Sequence, residues 1–121
     1  MSTDRRAGTR GQAGTWLGVG AFLVTQPERA LAMVGQPAPP PGLVTITRVL
    51  GARTALQNLV VLAAPIRPVV LAGAAVDLAH ALSMVAAARH WPAYRRAALA
   101  SGALAATAAA AALGRAPAAG T

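Results

Sequence analysis

Two apolar stretches, residues 45–64 and 69–88, meet at Pro65-Ile66-Arg67-Pro68, and each carries charge near its centre. Each is about 20 residues long, which is what a helix needs to cross the hydrocarbon core of a bilayer. The prolines mark a tight connection, so the two helices are expected to run antiparallel as neighbours. Arg53 lies mid-way along the first stretch, and Asp77 and His80 lie mid-way along the second. Counted from Pro65, Arg53 and Asp77 are each 12 positions away, so both fall about 18 Å from the turn at the helical rise. A lone charge at bilayer centre costs about 2.5–3.5 kcal/mol. An Arg53–Asp77 ion pair is therefore expected.

Polar neighbours share those faces. Gln57 follows Arg53 by four positions and His80 follows Asp77 by three, spacings that return to the same side of a helix. Arg53, Gln57, Asp77 and His80 thus form a predicted intramembrane polar cluster, with Gly73 and Met84 completing the face of the second helix. Asn58 lies about 100° further round from Gln57, within reach of this cluster or of the last helix. Three readings follow. The cluster is a structural clamp that fixes helix register, with His80 as an added donor. It is a site for protons, an ion or a small polar ligand, with His80 exchanging a proton beside Asp77. A haem ligand is the third, and it needs a second copy of the chain, since His90 sits at the expected interface.

Composition agrees with a membrane setting. Hydrophobic residues make up 55% of the 121 positions and charged residues 12%, above and below the usual globular shares. Trp16, Phe22, Trp91 and Tyr94 are the whole aromatic set, too few to fill a water-soluble core. Alanine and glycine instead suit close helix contact in lipid. The net charge of +8 could suggest nucleic acid, yet the arginines punctuate the ends of apolar segments rather than lining one face. Arg48, Trp91, Tyr94, Arg95 and Arg96 read as interfacial anchors, and no nucleic-acid motif is present. With no cysteine, disulfides and thiolate metal sites are excluded.

In order, residues 1–13 are polar, glycine-rich and basic, and are expected to be disordered. Arg5-Arg6 before an apolar run, with Ala30-Leu31-Ala32 downstream, has the outline of a cleaved leader, although Glu28 and Arg29 precede that site. A first helix is expected at about 14–26, with Gly14 and Gly18 spaced for close helix packing, as Gly51 and Gly73 are in later helices. Pro27 suits the first turn of a short interfacial helix, 27–35, stopped by Gly35. Residues 36–42, with four prolines, form a loop. Spans at 45–64, 69–88 and 96–113 follow, and then a flexible tail, 115–121. The expected fold is all-α: one membrane domain, 14–114, with four transmembrane helices and an interfacial helix after the first. Arginine counts on the two sides nearly tie, with a lean towards both termini inside.

Arg48-Val-Leu-Gly-Ala-Arg53, followed by Asp77-Leu-Ala-His80, resembles the small four-helix integral membrane proteins of actinomycetes. The resemblance covers roughly residues 15–114 and carries Arg48, Gly51, Arg53, Asp77 and His80. More distantly, the layout is similar to the DoxX-like membrane proteins. It implies fold and location in a bacterial plasma membrane, with no assigned activity. Neither a phosphate loop nor a metallohydrolase or serine-hydrolase motif occurs, and Asp77 is the one acid inside the expected bundle. A non-enzymatic structural or accessory subunit is expected, without cofactor or metal, in the lipid bilayer and in a homo-oligomer or larger membrane complex. The alternative is a small proton-linked permease or ligand-binding membrane protein using the polar cluster.

Overall fold

The computed structural model describes residues 2–115, and all regular structure among them is helical. The elements are α1 (Ser2–Thr25), α2 (Pro27–Met33), α3 (Leu43–Ala63), α4 (Arg67–His90), a 3₁₀ turn (Pro92–Tyr94) and α5 (Arg95–Arg115).

α1 begins at Ser2, where disorder is expected from sequence as far as residue 13. The reason lies on its inner face. Thr9 and Ala13 are buried, and the Gln12 side-chain amide donates to the Ala108 carbonyl of α5 at 3.1 Å. A segment rich in small residues thus packs where its composition suggests a free tail. Of the expected tail, α5 takes up Arg115, and 116–121 lie outside the described residues.

α2 has proline in its first turn, where the missing N–H costs nothing. It stops at Met33 rather than at residue 35. The Gly35 N–H donates to Ala32 O at 3.1 Å and the Gln36 N–H to Leu31 O at 2.8 Å. This paired closure needs a left-handed residue, and Gly35 supplies it at φ +86°. α4 starts two residues earlier than expected because Pro68 enters its first turn instead of staying in the connection.

The four long helices alternate in direction. Gly51 of α3 meets Leu23 and Gly20 of α1, while Val61 further along α3 packs with Ala13 further back. In the same way, Gly102 of α5 meets Met84 of α4, and Arg95 reaches back to Ala88. Association is uneven: α1 packs chiefly on α3 and α4 chiefly on α5, while α3–α4 and α1–α5 touch little. The fold is two tight helix pairs facing each other.

The α1–α3 crossing has no room for a side chain. A Cβ on Gly20 would lie 2.6 Å from the Ala55 nitrogen, and one on Gly51 would lie 2.6 Å from Leu23 Cβ. Gly14 and Gly18, expected from their spacing to pack helices, have nothing within 4 Å of such a Cβ. The contact falls on Gly20 instead, which lies on another side of α1 from Gly18. Gly51 keeps the packing role expected of it, and Gly73 admits the Gln57 side chain, 3.3 Å from its Cβ position.

Among the described residues, two segments are long and apolar enough to cross a membrane, Arg67–His90 and Pro92–Gly114. α1 and α3 do not meet that standard. The first half of α1 is polar, and α3 carries Arg48, Arg53, Gln57 and Asn58.

Candidate functional site

Polar side chains from all four long helices converge between the two pairs. Arg53 and Gln57 come from successive turns of α3, Asp77 and His80 from successive turns of α4, Gln12 from α1 and Ser101 from α5. They line a cavity of about 70 Å³.

Arg53 Nη1 lies 3.7 Å from Asp77 Oδ1, with side-chain exposures of 30% and 13%. Gln57 binds both charges more closely than they bind each other. Its Oε1 accepts from Arg53 Nη1 at 2.8 Å, and its Nε2 lies 3.2 Å from Asp77 Oδ1 and 3.2 Å from the Gly73 carbonyl. A hydrogen bond needs about 2.7–3.2 Å between N and O, so the amide, not the guanidinium, makes the direct bond to Asp77. Gly73, without a Cβ, leaves room for the Gln57 amide, which lies 3.3 Å from the Cβ position.

His80 is placed differently from the expectation of an added donor beside the ion pair. Its Nε2 lies 2.8 Å from Ser101 Oγ of α5. Of these two α4 residues, Asp77 is therefore tied to α3 and His80 to α5. Asn58 is satisfied within its own helix through Thr54 O at 2.8 Å.

Two buried atoms have no hydrogen-bond partner among the described residues: Arg53 Nε and Gln12 Oε1. One is a donor and the other an acceptor. Both residues line the same cavity. An unmade hydrogen bond on a buried polar group costs about 1–3 kcal/mol. Gln12 and Ser101 were not candidates from sequence. Gln12 falls in a stretch that reads as a free tail, and Ser101 stands alone in an alanine-rich run.

The expected interfacial anchors cluster at the other end of the fold. Trp91 is 58% exposed, and Arg48 lies exposed on the outside of α3. The others turn onto the backbone. Arg95 Nε donates to Ala88 O at 3.1 Å, closing the C-terminus of α4 as a cation suits. Tyr94 OH lies 3.4 Å from Pro41 O, and Arg96 Nη1 lies 3.4 Å from Gly35 O. Gln36, buried and not singled out from sequence, joins the two helix pairs here. Its Oε1 accepts from the Ala97 N–H at 2.8 Å and its Nε2 donates to Ala93 O at 2.9 Å.

Among the described residues no group of three or more His, Cys, Asp or Glu side chains comes together to hold a metal ion. Comparison of the chain with protein-family models, with curated proteins and with solved structures gives no match.

Proposed function

We propose that the chain is a multi-pass protein of a bacterial plasma membrane, a four-helix bundle serving as a structural or accessory subunit without enzymatic activity. One observation carries this reading, the inverted distribution of polarity. Leu56, Leu59 and Val60 of α3, Leu82 and Val85 of α4, and Leu99 and Leu113 of α5 are all exposed. Arg53, Gln57, Asp77 and His80 of α3 and α4 meet inside instead. In water that arrangement would leave a broad apolar surface uncovered; in lipid it is the favoured one. α3 then spans because Arg53 is neutralised by Asp77 and hydrogen-bonded by Gln57, and α1 because Gly20 lets it lie close against α3. The R-x-x-G-A-R and D-x-x-H patterns, on α3 and α4, support grouping the chain with the small actinomycete four-helix membrane proteins.

The absence of cysteine makes the test clean. Single cysteines at Leu56, Leu82 and Leu113 should resist a membrane-impermeant maleimide in intact membranes and react once the protein is in detergent. A cysteine at Pro37 should react from one side without detergent. Free labelling of Leu82→Cys in intact membranes would sink the membrane reading.

A second reading, a ligand-binding or proton-linked carrier protein, is favoured by the cavity itself. Arg53 Nε and Gln12 Oε1 are left unpartnered inside it, which a pure clamp does not require.

A further inference from the structure

The polar cavity adjoins a second space. Leu23, Leu50, Ser101 and Leu104 line the cavity and also line this second, larger space of about 480 Å³. That space runs between the helix pairs towards α2 and the α4–α5 turn, and its wall is apolar, with Leu31, Val34, Ile46, Met84 and Trp91 among its side chains. Its volume is that of an ordinary small-molecule pocket. The two spaces lie side by side, with the charged and amide side chains around the first and apolar side chains around most of the second.

We propose that together they form a site that binds a long-chain alcohol, with the hydroxyl in the polar cavity and the chain along the apolar pocket. The head chemistry follows from what the cavity lacks. Gln12 Oε1 needs a donor and Arg53 Nε–H needs an acceptor, and a hydroxyl is both. Charge excludes the ionised heads. Arg53 and Asp77 offset each other at 3.7 Å, so a carboxylate gains little from the guanidinium and is repelled by Asp77, and an ammonium meets the reverse. A hydroxyl is also small enough for a cavity of about 70 Å³. The weak association of the two helix pairs gives a chain a way in from the side. The site rests on the membrane reading above and names the ligand class for the carrier or binding alternative.

The test is titration of the full chain in phospholipid nanodiscs with 1-hexadecanol, hexadecane and palmitate. Bound molecules are read by native mass spectrometry and stability by thermal unfolding. One 1-hexadecanol should bind per chain, saturably, with a rise in Tm, while hexadecane and palmitate fail to displace it. Gln12→Leu should weaken binding about tenfold by removing the hydroxyl's acceptor. Val34→Trp, which fills the apolar pocket without touching the polar cavity, should abolish binding while the protein still unfolds cooperatively. Equal binding of hexadecane would overturn the hydroxyl site, preferred palmitate would overturn the charge argument, and partition without saturation would mean the cavity holds water alone. A chain that fails to insert overturns the membrane reading with the site; an inserted chain without saturable binding overturns the site alone.

Discussion

Gln57 Nε2 lies 3.2 Å from Asp77 Oδ1, nearer than the guanidinium of Arg53 at 3.7 Å. The charge on α4 is held by an amide that reaches over from α3 and that also accepts from Arg53. An ion pair held in this way depends on its bridge. Gln57→Leu should destabilise the protein by about 1–3 kcal/mol, the penalty of leaving partly buried charges short of partners. Arg53→Ala should cost a similar amount. The double variant should cost much less than the two single losses added together, because both act on one network. Unfolding of the four proteins in detergent measures this, and additive losses would show that Gln57 and Arg53 act separately.

The bridge also sets what a charge swap can do. The amide of Gln57 presents a donor at one end and an acceptor at the other, and rotation about its last bond exchanges them. Arg53→Asp combined with Asp77→Arg should therefore recover most of the stability that either single substitution loses. If the cluster is only a clamp, any in-vivo phenotype should recover with it. If the cavity binds a ligand, stability should return while the phenotype stays lost. A swap as unstable as the single variants would deny the partnership.

The pairing of Arg53 with Asp77 was legible because depth in an antiparallel hairpin follows from counting outward from the turn, and Pro65 fixes the turn. The partners of His80 and Gln12 were not, because both lie on α5, whose alanine-rich sequence has no periodic signal to set its rotation. The helical start of α1 was hidden for a related reason: small residues such as Thr9 and Ala13 pack well but do not look apolar in a polar, basic stretch. Gly14-x-x-x-Gly18 has a spacing that suits close helix packing, yet the choice between Gly18 and Gly20 depends on which side of α1 faces α3. That is a property of the assembled pair.

Those two glycines give opposite predictions. Gly18 is exposed with open space around it, so Gly18→Ala should be neutral or stabilise by up to about 1 kcal/mol through higher helix propensity. At Gly20 the added methyl would fall 2.6 Å from Ala55 N and 2.7 Å from Gly51 O. Backbone cannot move aside as a flexible side chain can, so Gly20→Ala should destabilise by about 1–3 kcal/mol by forcing α1 and α3 apart. Thermal unfolding of the two variants side by side decides it, and equal effects would mean the helices do not cross at Gly20.

At the opposite end from the Pro65 turn, a helix stop and a helix start are coupled through neighbouring residues. Gly35, at φ +86°, closes α2 and so sets the position of Gln36, whose Oε1 accepts from the Ala97 N–H in the first turn of α5. Gln36→Leu removes that acceptor and should cost about 1–2 kcal/mol, the scale of a lost helix cap. Gly35→Ala strains the left-handed backbone by about 1–2 kcal/mol and crowds Arg96, whose Nη1 lies 2.7 Å from the Cβ position. If Gly35 acts partly by aiming Gln36, the double variant should lose less than the two single losses together. Hydrogen exchange provides the local readout: the Ala97 amide should exchange faster in either variant, while amides in the middle of α4 keep their protection. Unchanged exchange at Ala97 in Gln36→Leu would show that α5 is capped by other means.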